Sequence, residues 1–273
     1  MNTAALSDSN TGTGRAMGGR TSFADSKTML RRNLVHAKRY PGMTIGILLM
    51  PIFMLLMFNY IFGGALRGAT GGAKYIQYLT PGMMLMIPAY MIAGIAVSVN
   101  TDMTKGIVNR FRTMHISQSS VLTGQVIGTW IQGMAGVSLM TLVAVLIGFR
   151  SHDAGVPQWL AAFGLIGLTI FALNWLGAGF GVVAQNPESA GNLATPILLL
   201  PFLGSGLVPT DTMPAGVKQF AEYQPFSPIT ETLRGLLMGT EIGNNGILAI
   251  AWCLALGAIG YFWSTSVFRR KTS

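Results

Sequence analysis

Charge is scarce in this chain. Of its 273 residues only 10% are Asp, Glu, Lys or Arg, against roughly a quarter in soluble domains, too few to give so long a chain a water-facing surface throughout. Cysteine is scarcer still: Cys253 stands alone inside an apolar run, which excludes an intrachain disulfide framework and a cysteine-based zinc site. The three histidines, His36, His115 and His152, are far apart, and no HExxH, GxSxG or zinc-type Cys/His spacing occurs. Hydrolytic and metal-assisted chemistry therefore has no candidate constellation. Residues 14–21, GRAMGGRT, fall one residue short of a phosphate-binding loop. Arg20 stands where that motif needs lysine and no strand precedes it, so it reads as a chance match.

What the chain does have is apolar length. Half of it, 51%, is hydrophobic, with 35 Gly and 17 Met; that composition fits an all-α polytopic membrane protein in which glycine lets helices approach closely. The net charge of +9 does not point to nucleic acid, because the cations gather at the ends of apolar runs. There they act as topology signals and meet anionic headgroups.

Residues 1–21 are rich in Ser, Thr, Gly and Asn and hold no apolar core for a signal peptide. They read as a disordered cytosolic tail, and residues 22–273 as one transmembrane domain. Residues 22–40 predict an amphipathic helix on the inner leaflet. Ser22 and Asp25 cap it, Phe23, Leu30, Leu34 and Ala37 share a face, and Lys27, Arg31, Arg32, Lys38 and Arg39 make the other faces basic. Six apolar runs come after it, predicting six transmembrane helices: 43–62, 80–99, 121–149, 159–184, 193–208 and 246–268. A span needs about 20 residues, so only the fifth falls short. None of the six contains Asp, Glu, Lys or Arg. Ion-coupled carriers usually keep an ionisable group at membrane depth, so energy for any uphill movement has to come from elsewhere. With both termini in the cytoplasm, thirteen of the 18 Lys and Arg fall on the inner side, the asymmetry expected for the plasma membrane.

Two stretches break the pattern. Residues 102–117, DMTKGIVNRFRTMHIS, form a charged island between runs. As a helix, Met103, Ile107, Phe111 and Met114 line one stripe, with Lys105, Asn109, Arg110 and Arg112 opposite. Asn100, Thr101 and Asp102 offer N-cap oxygens. The island fits a surface helix that touches a cytosolic partner; the plain alternative is a solvated loop. Residues 209–245 contain four prolines and two short amphipathic segments, 215–223 and 227–239. With the short fifth run they predict a helical hairpin dipping into the outer leaflet before the last span, or else an ordinary extracellular loop. Its Glu222, Glu231 and Arg234 would need partners there, and Glu231 and Arg234 sit at pairing distance, i and i+3. At depth, Gln132 beside Trp130 and Asn174 beside Trp175 are candidates to line a substrate path or to hydrogen-bond a neighbouring helix. Gly124/Gly128 and Gly177/Gly181 have small-residue spacing for helix contacts.

Four local patterns carry a resemblance over about residues 22–270. YLTPG at 78–82, the charged island, GSGLVPTDTMP at 204–214 and QPFSPITETLRGLLMG at 224–239 resemble the membrane subunits of ABC transporters of the type-2 permease family. Within it they look most like the daunorubicin-resistance exporters of actinobacteria. His115 stands where the family has proline, and Gln224 where it has asparagine. The resemblance implies a permease subunit of an ATP-driven exporter of hydrophobic drugs or antibiotics. It is no enzyme itself: ATP and Mg bind a separate ATPase subunit, and a second permease chain, identical or not, completes the path. The ATPase contact would fall on Asp102, Lys105, Ile107, Arg110, Phe111, Arg112 and Met114. The same machine moving a lipid, glycolipid or polysaccharide is the alternative cargo, and a non-transporting membrane scaffold is the alternative class.

Overall fold

The computed structural model describes residues 41–66, 74–105, 118–151 and 154–272. The expected tail, the interfacial helix 22–40 and island residues 106–117 lie outside them. Among the described residues every regular element is helical: α1 (Pro41–Met57), α2 (Tyr75–Met84), α3 (Met86–Thr104), α4 (Gln118–Leu146), α5 (Val156–Val183), α6 (Pro187–Leu199), α7 (Ala215–Tyr223), α8 (Phe226–Met238) and α9 (Asn245–Thr272). Among the described residues four stretches are long and apolar enough to cross a membrane: Tyr75–Thr104, Leu122–Leu146, Val156–Val183 and Asn245–Lys271. α1 continues through a π-helical turn, Phe58–Phe62, and Leu49–Ala65 is a shorter apolar helix.

The second run starts earlier than its hydropathy implies and is two helices. α2 begins at Tyr75 and ends at Met84, and α3 takes over after the shared cap residue Leu85. The break stems from Pro88, which has no N–H to donate to Met84 and whose ring crowds that carbonyl; Pro88 is instead accommodated in the first turn of α3. The other end of α3 also differs from expectation. Asn100, Thr101 and Asp102 do not cap a new helix; they form the last turns of α3, which ends at Thr104. The side chains of Asn100 and Asp102, read as N-caps, are used for contacts with other helices instead, and Thr101 Oγ1 donates back to the Val97 carbonyl within α3.

The fifth run is short for a visible reason. Asn186 and Ser189 form a reciprocal capping box with Pro187 in the first turn, which starts α6 well before the apolar residues. At 13 residues it rises about 20 Å, less than the hydrocarbon thickness. Pro201 comes next in a 3-10 turn, Leu200–Leu203, and the chain then runs irregularly to α7. A left-handed Gly239, φ 69°, ends α8, its N–H donating to the Gly235 carbonyl, the αL stop that favours glycine.

α5 is central and packs against α9, α3 and α4. Its contact with α3 depends on two missing side chains. A Cβ on Gly177 would lie 2.7 Å from the Ile92 carbonyl oxygen, and one on Gly181 2.5 Å from that of Ala96. The Gly177/Gly181 spacing is thus a true helix seam, where backbones meet without side chains between them.

Candidate functional site: a polar knot and a capped helix end

Three of the sequence patterns, the first more than a hundred residues before the other two, meet at one point. α2 brings Tyr75, Tyr78 and Gly82; the irregular stretch after α6 brings Ser205, Gly206 and Leu207; the α7–α8 junction brings Gln224, Ser227, Glu231 and Arg234. The irregular stretch leaves backbone carbonyls without helical partners, and side chains from the other two segments supply the donors. Tyr75 Oη donates to the Leu207 carbonyl at 2.9 Å and Tyr78 Oη to that of Ser205 at 2.8 Å. Gln224 Nε2 donates to the Leu200 carbonyl at 3.1 Å, and the Ser205 N–H donates to Ser227 Oγ at 3.1 Å.

Arg234 is the centre of this knot. It is only 7% exposed, which demands that its charge be matched. It pairs with Glu231 on the preceding turn of α8, as the i, i+3 spacing predicts. Its Nη2 donates to the Ser205 carbonyl at 3.0 Å and to that of Tyr78 at 3.3 Å, and its guanidinium lies 3.8 Å from the centre of the Tyr78 ring, a cation–π contact. Below it, α2 and the irregular stretch touch backbone to backbone: a Cβ on Gly82 would sit 2.3 Å from the Gly206 carbonyl oxygen. Glu222 does not join the knot. It and Asp211 face Lys218, at 3.7 and 2.6 Å, and the hydrogen bond that the ammonium donates to Asp211 holds it above the usual lysine range.

At the opposite end of the bundle, the C-terminus of α5 is capped twice. Asn100 Nδ2 donates to the carbonyls of Gly181 at 3.0 Å and Ala184 at 2.8 Å. Lys271, in the last turn of α9, donates to the Val182 carbonyl at 2.7 Å, a cation placed where the helix dipole favours one. Asp102 has the opposite problem, a carboxylate near the C-terminus of α3, and Gln125 Nε2 of α4 donates to it. Lys105 is exposed just past the helix end. Ile107, Arg110, Phe111, Arg112 and Met114 lie outside the described residues.

The four candidates for a substrate path are not gathered into one. Trp130 Nε1 donates to the Gly167 carbonyl at 2.7 Å. Asn174, fully buried, donates to the Val126 carbonyl at 3.3 Å. Trp175, also buried, stands edge-on to Tyr261 at 4.9 Å between centroids. Gln132 is half-buried on α4. Within this single chain the first three make helix-to-helix contacts. Sequence reasoning missed Tyr75, Ser205, Ser227 and Gln125, and the contacts made by Gln224, Asn100 and Lys271. Proline and glycine around 204–214 signalled an irregular backbone that had to be satisfied, but nothing in the sequence said by whom.

These features define a class: a helical, multi-pass membrane protein whose long helices carry charge only at their ends, among the described residues, and whose irregular segment after α6 is held by a buried arginine. The chain belongs to the ABC-2 type transporter family, whose model matches residues 25–238. It is 30% identical over 243 residues, 89% of this chain and 84% of the relative, to the daunorubicin resistance ABC transporter permease protein DrrB1 of Streptomyces coeruleorubidus. It is 22% identical over 236 residues, 80% of each chain, to the probable doxorubicin resistance ABC transporter permease protein DrrC of Mycobacterium tuberculosis. Nodulation protein J of Rhizobium leguminosarum bv. trifolii matches at 25% over 229 residues, 78% of this chain and 82% of that one.

Proposed function

We propose that this chain is the membrane-embedded permease subunit of an ATP-driven exporter that moves hydrophobic drugs or antibiotics out of the cell. The observation that carries the reading is the knot itself: three of the four segments that resemble drug-exporter permeases in sequence converge on Arg234 in space. The absence of Asp, Glu, Lys or Arg from the middle of the four long helices supports a machine driven from outside the bilayer rather than by an ion gradient.

In this reading α1 and α6 complete six spans, both termini are cytoplasmic, and α7–α8 form the outer-leaflet hairpin. The knot then lies on the outer side and the capped end of α5 on the inner side. A separate ATPase binds ATP and Mg and docks on the helix 22–40 and on the island 102–117. Two permease chains, alike or different, flank the path. Closure of the ATPases pushes on Lys105, Arg110, Phe111 and Arg112, and α3 carries the displacement through the Gly177/Gly181 seam to α5.

Purification from native membranes in mild detergent, with mass spectrometry of the proteins that accompany the chain, tests the assembly: a stoichiometric ATPase is expected. Hydrolysis by that complex is expected to rise with planar aromatic drugs; stimulation by lipid alone would reassign the cargo, and no ATPase in several detergents would leave a scaffold. Phe111→Ala and Arg112→Glu are expected to insert and fold normally but to abolish transport. Wild-type transport in both would remove the coupling role of the island.

A further inference from the structure

Beside the knot, α7, α8 and the start of α9 surround an open cavity of about 580 Å³. Its lining is unbalanced in charge: Asp211, Glu222, Glu231 and Glu241 contribute carboxylates and Arg234 is the cation among them. Lys218, outside the lining, answers Asp211 and Glu222, which still leaves an excess of negative charge. Ser205 and Arg234 are among its lining residues, are 3% and 7% exposed, and each retains a buried polar atom, Ser205 Oγ and Arg234 Nε, with no protein partner. Buried polar atoms are rarely left so; the Nε–H is a donor and the hydroxyl a donor or acceptor.

The cavity does not end there. It shares Glu222, Tyr223, Pro228 and Leu248 with an adjoining groove of about 400 Å³, which Ala251, Trp252 and Ala255 extend along α9. Leu248, Trp252 and Ala255 recur at i, i+4 and i+7, one face of that helix. A polar, net-negative compartment thus opens into an apolar one with an indole in its wall. Such a pair matches a molecule with a positive end and an apolar body. The excess of carboxylates disfavours an anionic amphiphile and gives a zwitterion little net attraction.

We propose that this paired cavity is a binding site for an amphiphilic amine, its apolar rings against Trp252 and Leu248 and its ammonium among Glu222, Glu231 and Glu241, with a neighbouring hydroxyl or carbonyl oxygen on Arg234 and Ser205. The inference deepens the export reading and rests on it for the direction of traffic: the site would be an outer station that holds a cationic drug beside the hairpin.

Binding is measured without transport. The full chain in phosphatidylcholine nanodiscs is titrated with a dansyl-labelled diaminoalkane and with its N-acetylated, uncharged counterpart. The amine is expected to bind about tenfold more tightly than the acetamide. Glu222→Gln together with Glu241→Gln should erase that preference and leave acetamide affinity unchanged, whereas Trp252→Ala should weaken both. In the wild type, raising salt to 1 M should shrink the preference, a readout that does not depend on any variant folding. Equal affinity of the two probes, a preference that survives in a folded double variant or at high salt, or displacement of the amine by phosphatidylethanolamine as readily as by a second amine would each overturn the site. Failure here leaves drug-stimulated ATP hydrolysis to decide the export reading; intact amine binding without such stimulation would sink export and keep the site.

Discussion

The knot around Arg234 and the seam between α3 and α5 lie on the same stretch, Tyr75–Thr104, yet are held together by opposite means. Along the seam both partners are regular helices. Their backbone groups are already bonded within each helix, so close approach needs only the removal of side chains, and Gly177 and Gly181 provide that. At the knot one partner is irregular. Its carbonyls have no helical donors, and away from water each unsatisfied group costs several kcal/mol. Tyr75, Tyr78, Gln224 and Arg234 therefore converge on it. Small residues suffice where secondary structure is complete; polar side chains are needed where it is interrupted.

The sharpest way to break this contrast is Arg234→Ala. Removing the guanidinium takes one of two side-chain donors from the Ser205 carbonyl, which keeps Tyr78 Oη, removes the contact with the Tyr78 carbonyl, and leaves Glu231 unpaired beside a buried site. A loss of about 3–5 kcal/mol is expected, seen as a collapse in the yield of monodisperse protein and in its unfolding temperature. Arg234→Lys keeps the charge but not the fork that reaches two carbonyls at once, and should recover only part of the loss. A normal unfolding temperature for Arg234→Ala would mean that the irregular stretch is satisfied by water.

Next in size is a pair that uses the two sides of one contact. A Cβ on Gly82 meets the Gly206 carbonyl oxygen at 2.3 Å, whereas one on Gly206 meets the Gly82 Cα at 3.2 Å. Gly82→Ala is expected to cost about 1–3 kcal/mol through displaced backbone, and Gly206→Ala distinctly less. Equal effects would show that the two segments separate easily.

Much of the bundle was legible because hydropathy and proline report on local backbone needs. The apolar runs mark the four long helices, Glu231 and Arg234 pair as their spacing requires, and Gly177 and Gly181 make their seam. The use of polar groups across long sequence distances escaped. Asn100 has the residue type and position of an N-cap for the charged island, but helix α3 continues past it and its amide caps a helix eighty residues on. Tyr75 lies outside the hydropathic run at 80–99 and so reads as part of a loop. Trp130 and Asn174 are equally suited to a path and to packing, since an indole N–H or an amide serves either; only the position of the Gly167 and Val126 carbonyls separates the two within one chain.

The smaller predictions probe the seam. Asn100→Ala removes two bonds to the C-terminus of α5, at Gly181 and Ala184, while Lys271 still holds Val182. A loss of about 1–2 kcal/mol is expected in the same unfolding assay, and combining it with Lys271→Met should cost more than the sum of the two, because each leaves the other as the remaining cap.

Smallest is Asn174→Ala. The residue is fully buried but gives the α4–α5 contact one long bond, 3.3 Å to the Val126 carbonyl, and its own Oδ1 has no protein partner. Removing the amide strands one carbonyl that is already bonded within its helix and also removes a buried acceptor that has no donor. The two effects oppose each other, so the net loss should be about 0.6 kcal/mol, the average for interhelical side-chain bonds in a membrane. Two readouts taken together decide what the residue is for. A slightly lower unfolding temperature with an unchanged set of exported drugs assigns Asn174 to packing. An unchanged unfolding temperature with an altered drug profile would mean that the unpartnered oxygen faces cargo in some state of the transport cycle, and the contrast between a polar knot and an apolar seam would then have to admit a polar path beside the seam, between α4 and α5.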